Sequence, residues 1–366
     1  MNTTPSDFQK RSPEGVSMCG ACRQGADRND AFAVPRRTTD TLKAVAILGV
    51  VLSHFASHEI TRIPALVSVF NSLMGLFFIL GGVGIEASLE RRFATGITAR
   101  TILRFFFDRA LRIYPAYLLA IFSSDLLFGT HYSLAVYTGL VSPYWFITYM
   151  LHCYLAAPIL HLGIARLGAR RFALIATAAI VAANLPYHLS ASVPSSPESA
   201  LPDFKAVLFG HILLFVWGMC FFSQAKKPRN AGQALTHPVR AWLLRVAPLL
   251  YLPCAALAGM SDQPPLPAIL ASTGLYLSLA AVTHMVLSGQ LAVPAGKAFA
   301  AVGRATLLIY LFEPFFYFAL SALYIVPDNV LSILLYAVTM PLFLLLCVTV
   351  QPLFDATARL PRRFFA

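Results

Sequence analysis

Stretches of about twenty apolar residues recur along the chain, separated by short polar segments, and we count ten of them. A helix of about 20 mainly apolar residues crosses a lipid bilayer. The composition agrees, because 58% of the 366 residues are hydrophobic and 12% are charged, against roughly 45–50% and 25% in soluble domains. We therefore predict an all-α integral membrane protein, a bundle of about ten transmembrane helices. The predicted spans are Thr39–Ser57, Leu66–Ser88, Leu111–Phe128, Tyr144–Gly163, Phe172–Tyr187, Ala206–Ser223, Ala241–Met260, Leu266–Ser288, Thr306–Ile325 and Val330–Leu353.

The basic residues indicate how this bundle is oriented. There are 28 Lys and Arg against 16 Asp and Glu, a formal net charge of +12. If the N-terminus is cytoplasmic, 26 of the 28 basic residues fall in inner segments, and only Arg62 and Lys205 fall outside. The positive-inside rule therefore predicts ten spans with both termini in the cytoplasm. The charge is explained by topology, so we expect no nucleic-acid partner.

Three segments follow from these spans. Residues 1–38 are polar and lack the features of a signal peptide, so we predict a disordered cytoplasmic tail. Residues 39–355 form the transmembrane domain, and 356–366 a short basic cytoplasmic tail. The first tail holds Cys19 and Cys22, but a zinc site needs two more ligands at suitable spacing. None lies nearby in the sequence, so we expect incidental thiols and no metal.

The first predicted span carries two separated basic groups on one face. Lys43 and His54 are eleven residues apart, close to three full helical turns, and therefore lie about 16 Å apart along the axis. Such a pair is placed to hold two ends of one elongated ligand. Asp40 is three residues before Lys43 and is expected to fix that lysine. The alternatives are an interfacial cation at Lys43 and a hydrogen-bonded packing histidine at position 54.

The third predicted span opens with a pair of arginines. Arg109 and Arg112 are three residues apart and face the same way at the cytoplasmic edge, a geometry able to grip phosphate. They could also only anchor the helix end. Arg112, however, lies within the first turn of the span, where a pure anchor is better placed further out.

Ionisable groups inside a span are costly and indicate function. Glu313 lies about seven residues into its span, where a lone carboxylate needs a partner or water. Pro314 follows it and frees a backbone carbonyl. Glu86 lies near the inner end of the second span, whereas His161 is placed at an edge and is given no role. The remaining polar groups inside spans are Tyr149, His152, His211 and His284, of which the last two are interpreted as structural.

Several of these segments together resemble acyltransferase family 3, the multi-spanning membrane acyltransferases that modify sugars. They are similar to the family's first-span basic residue and histidine, its FFxLSG segment, its arginine pair followed by Pro and Tyr, and its WFI segment. They are found in the family's order. The matching segments are Asp40–His54, Phe77–Gly82, Arg109–Tyr117, Trp145–Ile147 and Tyr154–Pro158.

The resemblance implies transfer of acetyl from acetyl-CoA, the co-substrate, to a hydroxyl of a carbohydrate such as an exopolysaccharide, a lipid-linked repeat unit or another cell-surface glycan. His54 would be the essential base or the acyl carrier, and Glu313 is the second candidate catalytic residue. The implied partners are the lipid bilayer of a bacterial inner membrane, acyl-CoA, the carbohydrate acceptor and glycan-assembly proteins. The implied coenzyme ligands are Lys43, Arg109, Arg112 and Tyr114. The implied supporting residues are Asp40, Tyr117, Trp145 and Glu86.

The sequence departs from the family pattern in two regions. Gly81 stands where Ser is usual, and Met150 and Leu151 are apolar where many members carry glutamates. Glu313 stands where the IYLxH segment usually ends in His. The last change puts any inherited role of a late histidine in doubt, although a carboxylate there can still orient or polarise a partner.

The sequence also allows three other interpretations. A transporter or flippase for a glycan or acyl group would be expected to show two similar halves, but the motifs are concentrated in the first five spans. A scaffold without catalytic activity would not need the arginine pair. Within the same class, the donor could carry another acyl group such as succinyl.

Overall fold

The computed structural model describes residues 36–357, except 56–63, 95, 191–203, 226–245, 259–264, 289–290, 292, 294–295 and 323–329. Cys19, Cys22 and most of both predicted tails lie outside the described residues. Regular structure in the described part is helical, which confirms the all-α class. The α-helices are α1 (Arg36–Phe55), α2 (Pro64–Ser72), α3 (Gly75–Phe93), α4 (Ala99–Phe128), α5 (Leu134–Tyr137), α6 (Trp145–Leu167), α7 (Ala169–Ser190), α8 (Phe204–Ala225), α9 (Tyr251–Ala258), α10 (Pro265–Leu287), α11 (Lys297–Arg304), α12 (Thr306–Ala322) and α13 (Val330–Thr357).

Every predicted span overlaps a helix, although the number of membrane crossings stays a prediction. Among the described residues, four helical segments are long and apolar enough to cross a bilayer. A fifth arises if α11 and α12, which meet at a bend of 74°, count as one broken span. The four segments are Val67–Phe93, Ala99–Phe128, Trp145–Leu167 and Leu334–Thr357.

Helix α4 begins twelve residues before the predicted span. The side chain of Thr98 accepts a hydrogen bond from the backbone N–H of Thr101, and the side chain of Thr101 accepts one from the N–H of Thr98, a reciprocal cap that starts a helix. The predicted start of the span at Leu111 is wrong as the start of the helix. Charged residues lower the hydropathy of the first turns of α4, but they do not interrupt the helix. At the other end, Gly129 adopts a left-handed conformation with φ 61° and closes the helix.

Close backbone contacts hold the inner bundle together. A Cβ atom at Gly82 on α3 would overlap the carbonyl oxygen of Phe215 on α8, and one at Gly218 would overlap the carbonyl oxygen of Ile79. The two helices therefore approach through glycine, as small residues permit within membranes. A Cβ at Gly303 would likewise overlap the carbonyl oxygen of Asp40, so α11 lies directly against α1.

Candidate active site

His54 at the end of α1 is paired with Glu313 in the second turn of α12. Nδ1 of His54 lies 3.0 Å from Oε2 of Glu313, across 259 positions of sequence. The carboxylate is buried, with 1% of its side chain exposed, whereas the imidazole is 42% exposed. This contact confirms the prediction that Glu313 has a partner. A buried charge is stable only when it is paired. Pro314 removes the N–H that would otherwise bond the carbonyl of Tyr310.

The imidazole faces a cavity of about 330 Å³. Aromatic rings and hydroxyl groups dominate its walls, a combination that binds a small polar molecule with an apolar face. The lining residues are His54, Ser124, Phe128, Thr130, Tyr132, Pro143, Tyr144, Trp145, Tyr310 and Pro314. Of the predicted supporting residues, Trp145 is in this wall, while Tyr132 and Tyr310 were not singled out from the sequence.

Two tyrosines join the start of α6 to α12 beside the cavity. The hydroxyl of Tyr144 donates to the carbonyl of Leu311 at 3.0 Å. The hydroxyl of Tyr310 accepts a hydrogen bond from the backbone N–H of Phe146 at 3.3 Å. These bonds fix the first turn of α6 against the turn of α12 that carries Glu313. Trp145 therefore keeps its position relative to the His54–Glu313 pair.

The connector between α4 and α6, residues 129–144, folds back along α4. The hydroxyls of Tyr114 and Tyr117 donate to the carbonyls of Thr138 and Val136 in this connector. Tyr117 therefore fixes the connector against α4, and its supporting role in the reaction stays a prediction. Tyr114 contacts the same connector, so its hydroxyl is engaged there, and a role in binding the coenzyme stays a prediction.

Asp125 holds the beginning of this connector. Its Oδ1 accepts hydrogen bonds from the Thr130 hydroxyl at 2.8 Å and from the backbone N–H of Tyr132 at 2.9 Å. Its Oδ2 accepts a hydrogen bond from the hydroxyl of Tyr137. Thr130 and Tyr132 line the cavity, so Asp125 shapes its wall without lining it. Asp125 was not singled out from the sequence.

Basic groups gather near the first turns of α1 and the first half of α4. Nζ of Lys43 lies 3.2 Å from Oδ1 of Asp40, which confirms the predicted pairing of those two side chains. Arg112 is exposed, and its charge acts on both Lys43 and Arg109. Arg92, which was not singled out from the sequence, pairs with Asp108 and joins α3 to α4.

Arg109 is a partly buried member of this basic cluster. Its guanidinium carbon lies 5.4 Å from the ring centre of Phe105 and 5.9 Å from that of Tyr154. Its Nε is buried and has no hydrogen-bond partner among the described residues. Arg109 and Arg112 therefore differ in depth, although the sequence placed both on one helix face at the cytoplasmic edge. A buried N–H without an acceptor is costly, and an anion would supply that acceptor.

A second histidine and carboxylate pair joins three helices elsewhere in the bundle. Nδ1 of His161 on α6 lies 3.0 Å from Oε1 of Glu86 on α3, and the hydroxyl of Ser223 on α8 donates to the same oxygen at 2.9 Å. Glu86 is buried, with 3% of its side chain exposed, and His161 is mostly buried, with 13% exposed. The placement of His161 at an edge was wrong, because it lies within α6, where it is the partner of Glu86.

Two of the positions that depart from the family pattern, Gly81 and Met150, meet in space. A Cβ at Gly81 on α3 would lie 3.3 Å from Cε of Met150 on α6. An apolar contact therefore stands where a serine and a glutamate are usual. Next to it, His211 packs against the rings of Phe78 and Trp145, with ring centres 4.5 and 5.5 Å away, in agreement with a packing role.

Apolar helices of membrane-crossing length and an imidazole–carboxylate pair at a cavity define a multi-pass membrane protein with an enzyme-like site. A family model described as an acyltransferase domain, that of acyltransferase family 3, matches residues 38–351. The match covers most of the chain, so this protein belongs to acyltransferase family 3 and is a membrane acyltransferase. No curated protein and no solved structure matches it.

Proposed function

We propose that this protein transfers an acetyl group from acetyl-CoA to a hydroxyl of a cell-surface carbohydrate in the bacterial inner membrane. The observation that carries the proposal is the His54–Glu313 pair, 3.0 Å apart, with His54 in the wall of a cavity. A hydroxyl has a pKa far above 7 and needs a base to react. An imidazole held by a buried carboxylate is suited to that task.

The basic cluster supports a donor that carries phosphates. Arg109 has a buried Nε without an acceptor, and Arg112 is exposed beside it. Guanidinium groups bind phosphate through parallel hydrogen bonds. In the proposal Lys43, Arg109 and Arg112 hold the phosphates of coenzyme A. The acyl-bearing arm then extends along α1 to His54, about 16 Å beyond Lys43.

His54 acts as a general base in the proposed reaction. Its Nδ1–H donates to Glu313, so Nε2 takes the proton of the acceptor hydroxyl. The hydroxyl oxygen forms a bond to the thioester carbonyl carbon, and the bond from that carbon to sulfur breaks. The proton on Nε2 passes to the departing sulfur, which leaves as a thiol, and His54 returns to its neutral form. Glu313 stabilises the imidazolium in between.

Tyr310 is the proposed donor to the negative charge that develops on the carbonyl oxygen. Tyr310 lines the cavity, and its hydroxyl accepts a hydrogen bond from the N–H of Phe146. Its own proton can therefore be donated into the cavity. Tyr144 is a poorer choice, because its hydroxyl already donates to the Leu311 carbonyl. A preorganised donor at this position lowers the barrier to acyl transfer.

The cavity walls support a carbohydrate acceptor. Tyr132 and Trp145 offer aromatic faces to the apolar face of a sugar ring, while Ser124 and Thr130 offer hydroxyls. With both termini in the cytoplasm and ten spans, His54 lies toward the outer end of α1 and the basic cluster toward the inner end. Reporter fusions after each span test this topology, and a terminus reported as periplasmic would overturn it.

Purified protein in lipid vesicles tests the transfer directly. With radiolabelled acetyl-CoA and a cell-surface glycan extract, wild type is expected to label the glycan and to release one thiol for each acetyl moved. The His54→Ala variant is expected to lose at least about 10³-fold in rate. The matched control is His284→Gln, whose ring packs against Phe221 and which should retain wild-type transfer.

Three outcomes of this assay would contradict the proposal in different ways. Transfer by His54→Ala at the wild-type rate would exclude His54 as the base. Uptake of glycan into the vesicles without thiol release would indicate a transporter. If the label stays on His54 after the thiol is released, the reaction proceeds through a covalent acyl-histidine and not by direct transfer. Repeating the assay with succinyl-CoA identifies the acyl group.

A further inference from the structure

Two tyrosine hydroxyls lie next to the catalytic pair and outside the cavity lining. Tyr317 is on α12, one helical turn after Glu313, whose Oε1 is buried without a hydrogen-bond partner among the described residues. The carboxylate and the Tyr317 hydroxyl are close enough to interact electrostatically. The Tyr317 hydroxyl lies 2.8 Å from the hydroxyl of Tyr336 on α13 and 3.2 Å from the carbonyl oxygen of Val51 on α1. Tyr317 therefore connects the helix that carries Glu313 to the helix that carries His54.

Tyr336 is held firmly in this position. Its ring stacks on that of Phe55, the residue after His54, with ring centres 3.8 Å apart, and it also contacts Phe316. Its side chain is buried. The hydroxyl is thus fixed beside Tyr317 by packing on both sides, and it is available to donate to the Tyr317 oxygen.

Tyr317 can serve as a hydrogen-bond donor to this carboxylate. A tyrosine has one proton, which Tyr317 directs to the Val51 carbonyl in this structure and which rotation of the hydroxyl would turn to the Glu313 carboxylate. A hydrogen bond to a charged acceptor is about twice as strong as one to a neutral acceptor. When Tyr317 donates to Glu313, Tyr336 can donate to Tyr317 in turn, and such chains strengthen one another.

We propose that Tyr317 and Tyr336 are positioning residues that stabilise ionised Glu313 and thereby lower the proton affinity of His54. The hydrogen bond from Tyr317 stabilises the Glu313 carboxylate most when His54 is neutral. When His54 is protonated, the imidazolium already compensates the charge of the carboxylate. The two tyrosines thus keep the imidazole in the form that accepts a proton. The inference rests on the proposed function for its catalytic meaning, but its physical content can be measured without a substrate.

The titratable groups around Glu313 in the described part of the chain come from three helices. They are His54 on α1, Tyr310 and Tyr317 on α12, and Tyr336 on α13. None of the three tyrosines carries a charge near neutral pH, so His54 is the group in this set whose charge changes there.

An NMR titration of His54 tests the proposal on the full chain in detergent. Protein with ¹⁵N-labelled histidine is titrated, and the His54 signals are those missing from the His54→Ala spectrum. In Tyr317→Phe and Tyr336→Phe, the pKa of His54 is expected to rise by about 0.5 to 1 pH unit. The phenylalanine at 336 keeps the ring stack. Should Tyr317→Phe not fold, Tyr336→Phe alone decides.

The matched control is Tyr251→Phe. The Tyr251 hydroxyl also makes two hydrogen bonds, to Ser72 at 2.8 Å and to the carbonyl of Val69 at 2.7 Å, but it lies against α2. This variant should leave the titration of His54 unchanged. The proposal is overturned if the tyrosine variants at 317 and 336 titrate like wild type, or if Tyr251→Phe shifts His54 equally.

Activity provides a second and separate readout. If the wild type transfers acetyl, the acid limb of its pH–rate profile should move to higher pH in Tyr336→Phe, while KM for acetyl-CoA stays within about twofold. A uniform fall in rate at all pH values would indicate a merely structural role and contradict the proposal. If the wild-type protein transfers no acetyl group, the proposed function is wrong, but the result of the His54 titration still holds.

Discussion

The described part of the bundle contains two histidine–carboxylate pairs with the same contact distance and different surroundings. In both, Nδ1 of the histidine lies 3.0 Å from a glutamate oxygen. His54 is 42% exposed and lines a cavity, whereas His161 is 13% exposed and joins α6 to α3. The oxygen of Glu86 that contacts His161 is also shared with Ser223. Access to a ligand therefore distinguishes a candidate catalytic pair from a helix-packing pair.

The largest effect is expected from breaking the exposed pair. Glu313→Gln keeps the shape of the side chain but removes the charge that compensates the imidazolium, so kcat should fall by about 10²- to 10³-fold. The free energy of unfolding should change little. Initial rates with saturating acetyl-CoA measure this, and a rate within threefold of wild type would remove Glu313 from the proposed mechanism.

Breaking the buried pair should instead affect stability. His161→Ala leaves the Glu86 carboxylate buried without its partner, which should lower the free energy of unfolding by about 3 kcal/mol. The rate per folded molecule should stay close to that of wild type. Thermal unfolding in detergent, with activity normalised to folded protein, measures both quantities. A large loss of rate without a loss of stability would show that the two pairs are not distinguished by access.

A third test sharpens the role of the cavity beside the exposed pair. Tyr310→Phe removes the proposed donor to the developing negative charge, and kcat should fall by about 10- to 100-fold. Tyr144→Phe is the matched control in the same wall, because its hydroxyl is already bonded to Leu311. Steady-state rates of both variants measure the difference, and equal losses would contradict a special role for Tyr310.

The smallest of these effects is expected at the basic cluster. Arg112→Gln removes an exposed charge from the proposed phosphate site, so KM for acetyl-CoA should rise about tenfold with kcat nearly unchanged. His161→Ala should leave that KM unchanged, which would separate the buried pair from donor binding. Arg112→Lys is the conservative control and should retain part of the affinity. An unchanged KM in Arg112→Gln would exclude Arg112 from the site.

Much of the helical layout could be predicted from the sequence, because apolar stretches of membrane length are local signals. The start of α4 could not be placed by hydropathy, since Arg100, Arg104 and Asp108 fall within the helix while the Thr98 cap starts it earlier. The bend of 74° between α11 and α12 also has no signal in the apolar pattern.

The sequence indicated residues of the candidate site but not the contacts that they make with each other. The sequence indicated that His54 and Glu313 were each unusual within an apolar span. Their contact joins residues 259 positions apart, and no local pattern encodes it. His161 was given no role because the direction of a side chain depends on the neighbouring helices. The acyltransferase class, by contrast, followed from motifs that keep their order along the chain.

The contact of Gly303 with the backbone of Asp40 fixes one end of the segment that carries the catalytic carboxylate. Gly303 on α11 packs against α1 near its start, and ten residues later, beyond the bend of 74°, Glu313 on α12 meets His54 at the other end of α1. Each residue of a helix turns it by about 100°. One residue inserted within α12 before Glu313 would therefore leave the glycine contact in place and rotate the carboxylate away from the imidazole. The segment between the two contacts thus tolerates changes of side chain much better than changes of length.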